Sequence, residues 1–310
     1  MSDQETKYDV IIIGAGPAGY TAGIYCSRAR HNTLLISGIL PGGQLMNTTD
    51  VENYPGFDQG IMGPDLMITM RKQTEKMGTK IMDDVVTSVD FKNNPLKVST
   101  ASNTFEASSV IVCTGANPRK IGLEGEQTFA GKGVSYCATC DGAFFKNQEL
   151  IVVGGGDSAM EEATFLTKFA STVHIVHRRN EFRASKIMQE RALSNEKIKV
   201  HFNHTVEDIQ GDQKFQKVIL KNVKNDEKIS LEAGGLFVAI GHEPNSKIFE
   251  GQIELDENGY VILKNNTETN VPGVFCAGDV HDHRYRQAVT AAGFGCMAAI
   301  DADKHLAERK

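Results

Sequence analysis

No stretch of this 310-residue chain approaches the roughly 18 consecutive apolar residues of a membrane-spanning helix, so none is expected. A basic leader followed by an apolar run is missing too. Met1-Ser2-Asp3-Gln4-Glu5-Thr6-Lys7 is polar, which argues against a secretory signal. The net charge is −6 and no long basic tract is present, a poor match to nucleic acid. Low-complexity segments are absent, and 40% hydrophobic with 23% charged residues is ordinary globular composition. These exclusions predict a soluble, cytoplasmic protein of two domains, at about 150 residues per domain.

Paired cysteine is also scarce. Of six cysteines, Cys26, Cys113, Cys276 and Cys296 are scattered among small or apolar neighbours and read as buried small hydrophobes. Only Cys137 and Cys140 stand close, within Cys137-Ala138-Thr139-Cys140-Asp141-Gly142. That is not the pattern of a secreted disulfide scaffold.

Glycine turns are what the chain does have. Tyr8-Asp9-Val10-Ile11-Ile12-Ile13 reads as a buried parallel strand and runs into Gly14-Ala15-Gly16-Pro17-Ala18-Gly19, then a helix to about Arg30. Strand, G-x-G-x-x-G, helix is the context of a dinucleotide site: the glycines let backbone approach a pyrophosphate at a helix N-terminus. The next strand, Thr33–Ile36, ends in Ser37-Gly38, where the generic fingerprint wants an acid for a ribose hydroxyl. That acid is missing.

A second copy opens at Glu149–Val153 and continues through Gly154-Gly155-Gly156-Asp157-Ser158-Ala159 into a helix to about Phe169. Its following strand, Val173–Val176, ends in His177-Arg178-Arg179, with Arg183 just beyond. Guanidinium groups at this place suit the 2′-phosphate of NADPH, which an acid would repel. Two such sites in one chain suggest two cofactors exchanging electrons. Ser109–Gly115 is a further apolar strand. Val271–Asp279 repeats the pattern with an acid at its end, before a helix from Tyr285 to about Leu306.

The chain closely resembles the low-molecular-weight thioredoxin reductase family over nearly its whole length. GAGPAG, GGQL, VENYPG, CATCDG, GGGDSA, HRRNEFRA, GLFVAIGH, PGVFCAGDV and YRQAV occur in the family's order. The family also has no acid at the position of Ser37. The resemblance implies an α/β fold of two doubly wound, Rossmann-like domains: an FAD domain of residues 1–117 and 246–310, interrupted by an NADPH domain of residues 118–245. It implies FAD contacts at Gly14, Ala15, Gly16, Pro17, Gly19, Gln44, Asn53, Val86, Asp279, Arg286, Gln287 and Ala288. NADPH would be served by Gly156, Asp157, Ser158, His177, Arg178, Arg179 and Arg183. It implies a homodimer, with oxidised thioredoxin as the protein substrate.

The cysteine pair can then be weighed. A structural zinc site needs four ligands, whereas one C-x-x-C supplies two. His201 with His204, or His281 with His283, read as surface histidines, so no metal is expected. A passive cross-link over so short a loop would add little stability and would be reduced in a cytosol. A redox couple fits better, since Ala138 and Thr139 leave the sulfurs accessible. Asp141 reads equally as a helix cap or as a proton shuttle, and the resemblance implies the shuttle. It also implies that Cys140 exchanges with the flavin and Cys137 attacks the partner, with the smaller domain rotating between half-reactions. A reductase of a different disulfide protein, or a scaffold that merely binds both cofactors, are the competing readings.

Overall fold

The structure, a computed structural model, describes residues 6–308. Its first strand is Lys7–Ile13 (β1), whose apolar run is buried on both faces: Val10 and Ile12 enter one core cluster, Ile11 and Ile13 another. Two-sided burial is why the run is continuous and not alternating. Helix Pro17–Arg28 (α1) follows, then Thr33–Ile36 (β2), parallel to β1 with Val10 opposite Thr33 and Ile13 opposite Ile36. The helix stops short of the expected Arg30, which reverses the chain at a φ of 68°. A hairpin of Asp50–Val51 (β3) and Ile61–Met62 (β4) leads to helix Gly63–Lys76 (α2). Strands Lys80–Met82 (β5), Val86–Asp90 (β6), Leu96–Thr100 (β7) and Thr104–Val112 (β8) complete the sheet order β5-β2-β1-β8-β7-β6. The β1, β2, β5 and β8 pairings are parallel; β6 and β7 add an antiparallel edge. β8 is longer than its apolar tail suggested, because Thr104–Ala107 is the half that pairs with β7.

The chain leaves this unit on Ala116–Pro118 (β9). The second unit contains helix Glu124–Thr128 (α3), strand Val134–Ser135 (β10) and the short helix Ala138–Asp141 (α4). Then come Glu149–Val153 (β11), Asp157–Leu166 (α5), Thr172–His177 (β12), Lys186–Leu193 (α6) and Ile198–Phe202 (β13). An antiparallel sheet of His204–Gly211 (β14), Phe215–Asn222 (β15) and Lys228–Glu232 (β16) precedes Gly235–Val238 (β17), which rejoins the main sheet. That sheet has the order β10-β17-β11-β12-β13 and is parallel throughout. β11 is covered on both faces: Leu150 and Val152 join the α5 cluster, Ile151 the cluster with Val206 and Phe215.

Return is by His242–Pro244 (β18), paired with β9 as a two-stranded sheet. The units divide between Asn117 and Pro118 and between His242 and Glu243. The second division lies earlier than the expected Asn245. Asn245 donates its backbone N–H to the Gly115 carbonyl at 2.9 Å and its Nδ2 to the Thr114 carbonyl at 2.9 Å, which fastens it to the first unit. Strand Val274–Cys276 (β19) pairs parallel with Val110–Val112 of β8, and helix Ala288–Ala307 (α7) closes the fold. β19 is shorter than the Val271–Asp279 pattern because Val271-Pro272-Gly273 is a turn, Val274 N–H to the Val271 carbonyl at 3.1 Å. α7 begins at Ala288, not Tyr285: the backbone N–H groups of Arg284, Tyr285 and Arg286 are bound instead by the Asp282 carboxylate. Both units are α/β, with parallel strands carrying the two glycine turns. Among the described residues no helix is long and apolar enough to cross a membrane.

Candidate active site

The first glycine turn is closed on one side and open on the other. Gly14 has a φ of 108°, which only glycine adopts freely, and a Cβ there would overlap the Cys113 carbonyl. A Cβ on Gly19 would overlap the Gly14 carbonyl, so α1 can sit tightly on the turn only without one. At Gly16 a Cβ would meet nothing within 4 Å. Gly16 is the N-cap of α1 and offers no side-chain cap, while Pro17 in the first turn has no N–H to lose. The first-turn amides of α1 therefore open onto space, a donor set that suits a pyrophosphate. Ala15 is buried and its carbonyl accepts from Gly42 N–H at 3.0 Å.

Other residues of the same unit add polar groups. Gln44 Nε2 donates to Asn117 Oδ1 at 2.6 Å, and Asn53 Nδ2 donates to Gln287 Oε1 at 3.4 Å. Val86 sits buried at the start of β6 in the cluster with Ile11 and Ile13, which leaves only its backbone for a ligand. Asp279, just beyond β19, is half-buried, and its buried Oδ1 has no hydrogen-bond partner in the protein. Burial, reinforced by Asp282 and opposed by Arg286, pushes its carboxyl up to about 7. A buried acceptor left unmatched is costly, and a polyol hydroxyl donating to Oδ1 would offset that cost. Arg286 holds a left-handed φ of 48° and its side chain hydrogen-bonds Tyr260. Gln287 caps α7 through a capping box with Thr290, and Ala288 opens the helix. The residues present fit FAD.

The second turn is built differently. A Cβ at Gly155 would run into the His177 ring, which is buried and packs against Phe182 with centroids 5.4 Å apart. Burial pulls the His177 pKa down, so this ring supports the turn as a neutral group and adds no charge to the expected basic cluster. Arg178, Arg179 and Arg183 are exposed, and no ion pair among the described residues uses them. The strap that carries them is tied down. Arg183 and Ala184 donate backbone N–H to the Gly155 carbonyl at 2.8 and 3.2 Å. Ser185 donates its N–H and hydroxyl to Asp157 Oδ1 at 2.8 and 2.9 Å. Asp157, though exposed, thus engages the strap. Gly156 caps α5, a Cβ there meets nothing within 4 Å, and half-buried Ser158 lies in the first helical turn. Open amides beside unpaired guanidiniums fit a phosphorylated dinucleotide such as NADPH.

Cys137 and Cys140 form a disulfide spanning α4. Cys140 is exposed and Cys137 half-buried. Cys140 N–H points at Cys137 Sγ, 3.2 Å away, a contact that favours a thiolate on Cys137. Asp141 is the last residue of α4 and caps nothing: its Oδ2 accepts from the Ser135 hydroxyl at 2.6 Å. Burial raises its pKa while that hydrogen bond lowers it. Of the remaining cysteines, Cys26, Cys113 and Cys276 are buried with thiols pushed up by burial, and Cys296 is half-buried. Among the described residues no cluster of histidine, cysteine and carboxylate could hold a metal ion.

Residues 8–295 match the profile of the pyridine nucleotide-disulphide oxidoreductase family. The thioredoxin reductase of Rickettsia bellii is 55% identical over 302 residues, 96% of this chain and 97% of that protein. That of Mycolicibacterium smegmatis is 52% identical over 310 residues, 100% of both chains. The solved thioredoxin reductase from Giardia duodenalis is 43% identical and superposes with a TM-score of 0.94 over 98% of this chain and 100% of that one. The chain belongs to the low-molecular-weight thioredoxin reductase family. It is a flavoprotein disulfide oxidoreductase whose cofactors are FAD and NADPH.

Sequence reasoning passed over several residues that shape these sites. Ser135 gave no signal, being one small residue in a short strand. Asp282, which binds the loop before α7, could have been suspected from the Asx-turn habit of an Asp preceding Arg284 and Tyr285. The histidines read as superficial are not all so. His201 Nε2 lies 3.0 Å from Nδ1 of buried His174, whose Nε2 meets Glu149 Oε2 at 2.8 Å. His281 packs edge-on against Phe294 with centroids 4.4 Å apart.

Proposed function

We propose that the protein passes the electron pair of NADPH, through FAD and the Cys137–Cys140 disulfide, to oxidised thioredoxin. The observation that carries this reading is the closed disulfide on α4, with the half-buried carboxyl of Asp141 at its end. When bound, the two cofactors supply the hydride and relay its electrons to the disulfide. The chain's own part is to hold them and to manage sulfur and protons. The α1 amides at Gly14–Gly19 and the carboxylate of Asp279 hold the flavin nucleotide, with Gln44, Asn53, Val86, Arg286, Gln287 and Ala288 completing the pocket. The α5 amides hold the second pyrophosphate, while Arg178, Arg179 and Arg183 receive the 2′-phosphate and Asp157 steadies their strap.

Opening the S–S bond takes two electrons and, in all, two protons. Cys140, the more exposed residue of the pair, would take up the electrons that a bound flavin supplies. Cys137, aided by the Cys140 amide, attacks the thioredoxin disulfide as thiolate. The mixed disulfide is resolved by Cys140, and Asp141 supplies the proton that a departing thiolate needs. The flavin site lies in one unit and the dithiol in the other, so the inserted unit turns on its two links between half-reactions. The protein works in the cytoplasm as a homodimer. Support for self-association comes from α7, where Val289, Gly293, Cys296 and Ile300 recur on one face, Val289 and Ile300 more than 40% exposed. A single-chain mass in sedimentation equilibrium would refute the dimer.

The test is NADPH oxidation with and without oxidised thioredoxin, with Cys140→Ser alongside. Thioredoxin-dependent turnover that vanishes in the variant is expected. Flavin bleaching by NADPH without any thioredoxin dependence would overturn the partner and leave the cofactors standing.

A further inference from the structure

Ser135 lies beneath the redox pair and belongs to none of its motifs. It ends β10, where Val134 and Ser135 pair with Leu236 and Phe237 of β17, so the parallel sheet fixes its backbone. The side chain is buried. Its Oγ accepts the Cys137 N–H at 3.1 Å and has two acceptors to choose from: Asp141 Oδ2 at 2.6 Å and the Cys137 carbonyl at 3.4 Å. A hydroxyl has one proton to give. With a lone pair already committed to Cys137 N–H, that proton goes to the nearer, more basic carboxyl oxygen.

We infer that Ser135 is the positioning residue that fixes the Asp141 carboxyl and decides which of its oxygens handles the proton. Oδ2 is occupied as an acceptor of the Ser135 hydroxyl, so the proton of neutral Asp141 resides on Oδ1, the oxygen that Ser135 leaves free. The inference rests on the reading that Asp141 is the proton donor. In the exchange with a protein disulfide, the Cys137 thiolate forms a bond to one partner sulfur and the partner S–S bond breaks. The departing sulfur keeps the electron pair and takes the proton from Oδ1. Asp141 recovers a proton from the Cys140 thiol as that sulfur becomes the resolving thiolate. The electrons come from NADPH by way of the dithiol, as in the proposed function.

The Ser135 bond also opposes burial. Burial pushes the Asp141 carboxyl up, and the hydroxyl pulls it back. Charged groups on the elements packed against this turn are Asp157, Glu161 and Glu162 on α5 and Lys146 just after the Gly142–Phe145 turn. None of them moves Asp141; burial and Ser135 are its two influences. Removing the hydroxyl therefore raises the acid further, because a hydrogen bond that favours the charged carboxylate is lost.

The experiment compares Ser135→Ala, Asp141→Asn and the double variant by the pH profile of thioredoxin-dependent kcat at saturating NADPH. Flavin content and melting temperature are read beside it. The wild-type rate should fall on an alkaline limb as Asp141 loses its proton. Asp141→Asn should lose that limb and fall in rate by about 100-fold or more. Ser135→Ala should keep the limb but shift it to the alkaline side. The double variant should match Asp141→Asn alone, because Ser135 acts through Asp141. An unmoved limb in Ser135→Ala, or an equal rate loss from it in both backgrounds, overturns the inference. A limb that survives in Asp141→Asn removes the proton-donor role itself and the inference with it. Should Ser135→Ala fold poorly, Ser135→Thr retains the hydroxyl and should keep the wild-type limb; a limb shifted as far as a buried alanine predicts would be evidence against.

Discussion

Replacing Gly16 by alanine should strip the protein of FAD while leaving the fold intact. Gly16 has φ −79° and ψ −173°, backbone that alanine adopts without strain, and the added Cβ meets nothing within 4 Å. The loss to the fold is a poorer N-cap on α1, about 1 kcal/mol. For a chain segment of this size that lowers Tm by about 2–4 °C. The ligand loses far more. The new methyl stands where the α1 amides open, and moving a phosphate out of reach of one amide removes a charge-assisted hydrogen bond of about 1.5–3 kcal/mol. At about 1.4 kcal/mol per decade, FAD weakens roughly 10- to 100-fold for each bond lost. The assay is flavin per protein after purification, with FAD titrated by fluorescence into deflavinated protein and melts run on deflavinated samples. Gly19→Ala is the contrast. Its Cβ overlaps the Gly14 carbonyl, so overpacking of about 1–3 kcal/mol should lower the melting temperature directly. A Gly16→Ala protein that retains full flavin and wild-type affinity would refute the assignment of this turn.

Arg178→Ala with Arg179→Ala should weaken NADP+ by about 100-fold or more in calorimetry, two charge-assisted bonds being lost, and leave NAD+ nearly unchanged; equal losses for both nucleotides would sink the 2′-phosphate reading. Stability should also carry a mark of His281. Burial pulls its pKa down to about 4, against an ordinary value of about 6.5. A depressed histidine contributes stability that is complete above about pH 6.5 and is lost as pH falls through about 4, close to 3 kcal/mol in all. His281→Phe should flatten the acid side of the Tm–pH curve, and an acid limb as steep as wild type would count against this.

Much of the molecule was legible because the relevant signals are local. A continuous apolar run such as Tyr8–Ile13 can be buried only on both faces, so it announces a central strand. A glycine turn announces itself because neighbouring backbone excludes a Cβ, as Cys113 and Gly14 do at the first turn. Helix and strand ends were less legible: α7 starts at Ala288 because Asp282 takes the preceding amides, a partnership that no periodicity reveals.

The chemistry of the cysteine pair divides the same way. Spacing alone brought Cys137, Cys140 and Asp141 to one helical turn, since a four-residue helix places its ends together. Only the tertiary structure decided what Asp141 touches. Ser135 reaches it because β10 is clamped by β17, a strand about a hundred residues further along. Only the tertiary structure removed His177 from the basic cluster, by burying its ring between Gly155 and Phe182. It likewise turned Asp157 toward Ser185. Residue type and spacing determine which groups are available. Their protonation and partners depend on burial and on contacts between segments distant in the chain, and those exist only once the chain has folded.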